Sequence, residues 1–174
     1  MNWDERKTRI LEIIKRQNPD LVVFQEVRDD SRFNKKGGNQ AISLNQELKF
    51  PYFVFYPITN KQKENPEKYR NHCIEGTAVL SRFPIIYIKK NKLKKHADDK
   101  YACGNLHVKI KAKRTIDLIV VHFSNNNYFS LLHLLETLRY VKKEMIQPII
   151  VGDFNIIDSY VLHNLTDYEY FSSL

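Results

Sequence analysis

A carboxylate and an amide side chain follow a short apolar stretch near the end of the sequence. Residues 149–151 are β-branched and predict a strand that is buried on both faces, and Asp153 and Asn155 come directly after it. In open α/β folds, ligands bind at the rim formed by the carboxyl ends of the strands, because the strand below holds polar residues rigidly. We therefore interpret Asp153 and Asn155 as the centre of an acidic site around which the chain is assembled.

Three more residues that could do chemistry lie at the ends of other predicted strands. Glu26 lies near the end of an apolar strand over residues 20–27, Glu75 lies at the entrance of a strand that starts at residue 74, and His122 lies near the end of a strand over residues 115–123. Taken alone, Glu26 is more typical of an exposed loop acid and His122 of a hydrogen-bonded core histidine. Only the combination favours a functional site.

Hydrophobic periodicity predicts the elements that must position these side chains. The predicted helices cover residues 4–17, 41–49, 131–141 and 159–165. Further strands are predicted over residues 52–56, 74–80, 85–88 and 103–111, the last of them half-exposed because apolar and charged residues alternate. Residues 29–38 and 59–71 are polar and predict loops.

Length and charge limit the class of protein. The 174 residues, with ten Phe and ten Tyr, are enough for one globular domain over residues 1–174. The net charge is +8, and the segment 89–114 carries ten Lys or Arg against two acids, a surplus equal to the whole net charge. A basic ridge of this kind attracts nucleic acid or an anionic lipid surface, although a solvated basic hairpin would have the same composition.

Cysteine spacing and the chain start indicate the cellular compartment. Cys73 and Cys103 show no CxxC or Cys/His spacing, which favours two reduced structural cysteines over a disulfide or a zinc site. No apolar run approaches the roughly eighteen residues of a membrane span, and the first six residues are too polar for a signal peptide. We therefore expect a cytoplasmic or nuclear protein.

Four motifs in this order resemble those of the endonuclease/exonuclease/phosphatase superfamily, which includes deoxyribonuclease I. They are Gln25-Glu26-Val27, Glu75-Gly76 with the LSRFP stretch at 80–84, Val121-His122, and Gly152-Asp153-Phe154-Asn155. The resemblance covers nearly all of the chain. It implies an α/β (α+β) fold of the deoxyribonuclease I type, a two-sheet β-sandwich flanked by helices in four layers.

The resemblance also implies roles for the residues. Glu26 would be the ligand of a catalytic Mg²⁺, with Mn²⁺ as a substitute, and Asp153 would orient or deprotonate the attacking water. Asn155 would donate a hydrogen bond to the transition state. His122 would donate to the phosphate or act as an acid, with Glu75 as its carboxylate partner.

The implied function is metal-dependent phosphodiester hydrolysis, with nucleic acid as the substrate because of the basic segment. We name Arg82, Lys109 and Lys111 as substrate-binding residues. The alternatives are a sphingomyelinase-like enzyme or phosphoinositide phosphatase, with an anionic lipid or inositol phosphate as partner, and a catalytically inactive binding module.

The resemblance further implies that the fold is incomplete at both ends. The chain starts at the helix that follows the first strand of the family, and it stops before the C-terminal Asp-His pair. We therefore expect little phosphodiesterase activity from the 174 residues. We also expect the open sheet edges to cause dimerisation, aggregation or binding of a complementing chain, and the alternative is that the sequence is a fragment or comes from a split gene.

Overall fold

A computed structural model of the chain describes residues 2–30, 38–68, 73–96, 99 and 102–156. The helices are α1 (Trp3–Gln17), α2 (Gln40–Leu48), α3 (Lys61–Glu64) and α4 (Asn127–Glu144). The strands are β1 (Leu21–Asp30), β2 (Tyr52–Asn60), β3 (Cys73–Ser81), β4 (Ile85–Lys92), β5 (Gly104–Lys111), β6 (Thr115–His122) and β7 (Ile149–Asp153).

The described strands form two sheets. The first sheet has the antiparallel order β1-β3-β2, and the second has the order β4-β5-β6-β7. Within the second sheet β6 and β7 are parallel, and α4 is the crossover between them. This parallel pair brings His122 level with Asp153. The carboxyl ends of β6 and β7 therefore deliver both side chains to one edge.

The two sheets pack face to face, and helices cover their outer faces. The central cluster contains Val54 and Val79 from the first sheet and Leu106, Ile110 and Val120 from the second. A second cluster joins β6 to α4, and a third joins the first sheet to α2. Each fully buried aliphatic side chain of this kind contributes about 1.5–3 kcal/mol. The two-sheet, helix-flanked α+β architecture that the resemblance implied is confirmed.

Asparagine side chains begin the helices. Asn2 accepts a hydrogen bond from the backbone N–H of Glu5, and Asn39 and Asn126 do the same at the starts of α2 and α4. The Asn126 cap is close in sequence to His122, so it fixes the start of α4 directly after the strand that carries the histidine. Asn2 is therefore a helix cap in this structure.

Burial of β5 differs from the sequence prediction. The alternating pattern predicted a half-exposed strand, but most of β5 is buried because α4 covers its polar face. Asn105 Nδ2 donates to Thr137 Oγ1 at 3.2 Å, and His107 Nδ1 lies 2.7 Å from the Tyr140 hydroxyl. Polar residues on β5 therefore pair with polar residues on a helix rather than with water.

The ends of β1 and β2 and the burial of β7 also differ from prediction. Residues 29 and 30 continue β1, and residues 59 and 60 continue β2 into the short helix α3, where loops were predicted. Strand β7 is only partly buried, since it lies at an edge of its sheet in the described part of the chain. The predicted helix over residues 159–165 lies outside the described residues. Among the helices that the structure describes, none is long and apolar enough to cross a membrane.

Candidate active site

Glu26 projects from a bulge in the middle of β1. Phe24 pairs with Ala78 and Val27 pairs with Gly76, so β1 has one more residue than β3 in this interval. Glu26 takes up the extra length with a left-handed φ of 54°. A bulge of this type breaks the alternation of the strand and re-aims a side chain. The Glu26 side chain is 63% exposed as a result.

The strand next to this bulge requires a glycine. A Cβ on Gly76 would lie 1.9 Å from the backbone oxygen of Tyr56, which is far inside van der Waals contact. The pairing of β2 with β3 is also irregular here, between Pro57 and Thr59. Both neighbours of β3 therefore change register at the level of Gly76. This irregular layer forms the floor of the site.

Glu75 lies beside this floor and forms two ion pairs. Its Oε2 is 3.0 Å from Arg28 Nε, and its Oε1 is 3.0 Å from Lys61 Nζ. Only 8% of Glu75 and 9% of Lys61 are exposed. Charged groups this buried are stable when they are paired. The three side chains therefore form a fixed ionic cluster that links β1, β3 and α3.

The carboxylate within ion-pairing distance of His122 is Glu26. His122 Nε2 lies 4.0 Å from Glu26 Oε1, whereas the ion pairs of Glu75 are those with Arg28 and Lys61. The predicted partnership of Glu75 with His122 is thus replaced by a different pairing. The physical reason is that the bulge turns Glu26 toward the end of β6, while two basic side chains occupy both oxygens of Glu75.

Asp153 and Asn155 are held by a tight turn after β7. Asp153 Oδ1 accepts a hydrogen bond from the backbone N–H of Asn155 at 3.0 Å, and Asn155 Nδ2 donates to the backbone oxygen of Phe123 at 3.0 Å. Asn155 has a φ of 50°, in the left-handed region that asparagine tolerates well. The N–H of Phe123 in turn donates to the Asp153 backbone oxygen at 3.0 Å. The turn is therefore fastened to the end of β6.

These residues surround one cleft of about 310 Å³. It lies between the ends of β1, β3, β6 and β7. Its polar lining consists of the acids Glu26, Glu75 and Asp153, the bases Arg28, Lys61 and Lys68, and the side chains of Thr59, His122, Ser124, Asn125 and Asn155. Five predicted residues, Glu26, Glu75, His122, Asp153 and Asn155, therefore come together in space.

The three predicted substrate-binding residues are not in the cleft. Lys109 on β5 pairs with Asp117 on β6. Gly104, which is five residues earlier on β5, pairs with His122. Five residues of strand correspond to about 16 Å, so Lys109 lies far from the histidine, and Lys111 lies farther still. Arg82 donates to the backbone oxygen of Pro19 at the opposite end of β3 from Glu75. Antiparallel pairing places these residues toward the other end of the sandwich, so the cleft does not bring them together with Glu26 and Asp153.

The basic residues of the cleft are ones that the sequence prediction missed. The sequence signal that could have identified Arg28 is its nearness to Glu26, since it comes two residues after that acid. Lys61 and Lys68 lie in a stretch that was predicted to be a polar loop, and nothing in its composition distinguishes them from neighbouring lysines. Their position depends on α3 folding back against β3.

Two sets of side chains could hold a metal. Glu26 and Asp153 offer carboxylate oxygens in the cleft, and such oxygens together with water suit Mg²⁺ or Mn²⁺. The exposed side chain of Glu26 leaves room for the waters that Mg²⁺ retains. Among the described residues, the group that brings three ligand atoms within 4.8 Å of one another is a different one, Asp99, Cys103 and His133.

Solved structures of similar fold span a range of activities. An endonuclease/exonuclease/phosphatase from Beutenbergia cavernae DSM 12333 has a TM-score of 0.69 and 22% identity, over 86% of this chain and 42% of that one. D. rerio TDP2 complexed with single strand DNA product has a TM-score of 0.64 and 13% identity, over 94% of this chain and 58% of that one. Sphingomyelinase C from Streptomyces griseocarneus has a TM-score of 0.60 and 18% identity, over 88% of this chain and 57% of that one.

At these identities the similarity shows the fold, and the chain spans about half the length of those structures. A comparison with curated protein sequences gives no match. The sequence model of the Endonuclease/Exonuclease/phosphatase family matches residues 1–168, almost the whole chain. Enzymes of this family generally depend on a divalent metal. The chain therefore belongs to the endonuclease/exonuclease/phosphatase family.

Proposed function

We propose that the cleft performs metal-dependent phosphodiester hydrolysis on nucleic acid. The observation that carries this proposal is the convergence of Glu26, His122, Asp153 and Asn155 at one rim. Asn155 is held there by two hydrogen bonds, from its N–H to Asp153 Oδ1 and from its side chain to the Phe123 oxygen directly after β6. Positioned acids, amides and imidazoles are the groups that phosphoryl transfer uses. Glu26 would hold the Mg²⁺, which when bound polarises a phosphoryl oxygen and neutralises developing charge.

The residues of the chain supply the remaining chemistry. Asp153 Oδ1 is occupied by the N–H of Asn155, and its other oxygen is left to accept a proton from the attacking water. Asn155 Nδ2 carries two hydrogens, and one of them is donated to Phe123. The second hydrogen can be donated to a phosphate oxygen. His122, half-buried at the same rim, would donate to another oxygen of the same group.

The basic side of the cleft would attract the substrate. Arg28, Lys61 and Lys68 also line the cleft, and two of them are held in place by Glu75. An arginine or lysine that is already fixed loses little entropy when a phosphate binds. We infer that Glu75 acts on substrate binding through these cations rather than through the histidine.

The exposed apolar residues of β4 give no support to a lipid substrate, because they lie away from the cleft. Ile86 and Ile88 on β4 are 56% and 48% exposed and could touch a membrane. However, β4 begins at the end of its sheet that is far from the cleft. Ile85 at the start of β4 pairs with Ile110, whereas Lys92 at its end pairs with Gly104. A membrane held at these isoleucines would not present its headgroups to the cleft. The net charge of +8 suits a polyanion that reaches along the surface.

Cleavage of an end-labelled single-stranded oligonucleotide, with protein in excess so that slow turnover is visible, tests this function. We expect Mg²⁺-dependent cleavage that falls at least about 100-fold in Glu26→Gln and in Asp153→Asn. Glu12→Gln, which alters an exposed acid on α1, is the matched control and should cleave at the original rate. Cleavage that persists in both cleft variants would contradict the proposal.

The same preparation separates the alternative functions. Oligonucleotide binding that weakens steeply with salt and shows no cleavage would identify a binding module. Hydrolysis of sphingomyelin or phosphoinositide vesicles without cleavage of the oligonucleotide would identify a lipid phosphodiesterase.

A further inference from the structure

A second set of potential metal ligands lies behind one wall of the cleft. Asp99, Cys103 and His133 each place one ligand atom within 4.8 Å of the other two. Asp99 and Cys103 belong to the connection between β4 and β5, and His133 lies on α4. The three residues are 5%, 7% and 1% exposed, so the group is buried. This arrangement is not visible in the sequence, where the spacing is irregular.

Asp99 is the unusual member of this group. Its Oδ1 accepts a hydrogen bond from the Ser124 hydroxyl at 2.8 Å. Its Oδ2 is buried without a hydrogen-bond partner among the described residues, and it lies 3.8 Å from His133 Nε2. An unpartnered buried carboxylate oxygen is costly, and a cation is one of the groups that satisfies it. The orphan oxygen therefore indicates where a ligand would bind.

We propose that Asp99, Cys103 and His133 form a binding site for Zn²⁺ or a similar borderline-soft cation. Thiolate, imidazole and carboxylate are the three ligand types that Zn²⁺ takes, and a water would complete a tetrahedron. Mg²⁺ prefers oxygen ligands alone, so this site and the Glu26 carboxylate select different metals. The proposal does not rest on the proposed hydrolytic activity.

Metal binding would remove the thiol hydrogen of Cys103 and would move the ring hydrogen of His133 from one nitrogen to the other. Burial raises the pKa of the Cys103 thiol to about 12, so the thiol keeps its hydrogen at neutral pH in the metal-free chain. The cation replaces that hydrogen, which leaves as H⁺ to solvent while sulfur and metal form a bond. The Ser124 backbone N–H lies 3.3 Å from His133 Nδ1, so the imidazole carries its hydrogen on Nε2, 3.2 Å from the Lys94 backbone oxygen. Ligation through Nε2 moves this hydrogen to Nδ1, so the hydrogen bonds of His133 with the Lys94 oxygen and with the Ser124 N–H are both lost.

The proposed metal site adjoins the cleft, so a bound cation would affect the cleft wall. Cys103 and Ser124 also line the cleft, and Thr59 Oγ1 donates to the Ala102 backbone oxygen at 2.9 Å. A cation that joins Cys103 to α4 would therefore fasten the cleft wall from behind. We infer a structural role for this metal, since three of its ligands are buried and none of them belongs to the predicted catalytic set.

Cobalt titration of the metal-stripped chain tests the site. We expect a sulfur-to-cobalt charge-transfer absorption that saturates at one Co²⁺ per chain, disappears on addition of Zn²⁺ and withstands excess Mg²⁺. Cys103→Ser should abolish the band. Cys73→Ser is the matched control, because Cys73 is the other buried free thiol and lies outside the group, and it should keep the band.

Two further measurements distinguish the loss of the metal site from a variant that does not fold. Asp99→Asn retains the thiol, so it should keep the band while the Co²⁺ affinity falls at least about tenfold, as changes around metal ligands do. Zn²⁺ should raise the melting temperature of the original chain and of Cys73→Ser. A chain that shows no band with Co²⁺, or a Cys103→Ser variant that keeps the band, would overturn the proposal.

Discussion

Gly152→Ala is predicted to be strongly destabilising, because this glycine allows β7 to lie against β6. Gly152 has a φ of +140°, and a Cβ at this position would be 2.0 Å from the backbone oxygen of Val121. Val121 is the residue that pairs with Gly152 in the parallel ladder. Alanine at position 152 would therefore have to adopt a backbone conformation that residues with a Cβ rarely adopt. Its Cβ would also clash with the Val121 backbone, which cannot rotate away as a side chain can.

The size of the effect can be worked out from these two terms. A residue with a side chain in this region of backbone space costs about 1–3 kcal/mol. Relief of the clash by moving β7 would also weaken ladder hydrogen bonds, each with a net contribution of about 0.5–1.5 kcal/mol. We expect a loss of about 3 kcal/mol in the free energy of unfolding, which is a large part of the roughly 5–15 kcal/mol of an ordinary domain.

Urea denaturation followed by far-ultraviolet circular dichroism measures this change. With an m-value of about 1–3 kcal/mol/M, the midpoint should fall by roughly 1–3 M. Ile149→Ala on the same strand is the control. Ile149 is 57% exposed, so its substitution should stay within about 0.5 kcal/mol of the original chain. A Gly152→Ala variant as stable as this control would refute the view that close approach of β6 and β7 fixes Asp153.

Two other contrasts test the buried polar groups. Tyr140→Phe should cost about 1–3 kcal/mol, because it leaves the buried His107 without the hydroxyl 2.7 Å from its Nδ1. Tyr56→Phe, in contrast, should be neutral or stabilising in urea denaturation, since the Tyr56 hydroxyl is buried without a partner among the described residues. Burial raises the pKa of both phenols, so the unfolded chain ionises them first and stability should fall as the pH rises above about 10. Tyr56→Phe should flatten this alkaline decline, and an unchanged pH profile would count against it. Glu75→Gln should lower stability by about 1–3 kcal/mol and weaken oligonucleotide binding, because two basic partners lose a buried carboxylate. Glu144→Gln, which weakens a partly exposed ion pair with Lys89, should change both measurements much less, and equal effects of the two variants would contradict the role given to Glu75.

Much of the fold follows from local patterns. The apolar run before Asp153 and the run before His122 specify strands, because β-branched residues favour extended backbone. The spacing of Leu131, Leu134 and Leu138 specifies one face of α4. These features depend on neighbours in sequence, and for that reason the positions of most elements agree with prediction to within a few residues.

Burial of β5 was harder to predict because it depends on a distant helix. His107 and Asn105 look like solvent-facing residues in an alternating strand. In the structure α4 lies over them and supplies the hydroxyls of Thr137 and Tyr140. An alternating pattern shows that one face is polar, but it does not show whether water or another polar element covers that face.

The sequence by itself determined which residues lie at strand ends, and hence that Glu26, His122, Asp153 and Asn155 are candidates for one site. Only the tertiary structure decided that Glu75 pairs with Arg28 and Lys61 instead of His122. It also decided that Lys109 lies at the far end of the sheet and that three scattered residues meet around Asp99 Oδ2. The physical reason is that strand identity is a local property, whereas a side chain's partners depend on strand register and on the packing of distant segments.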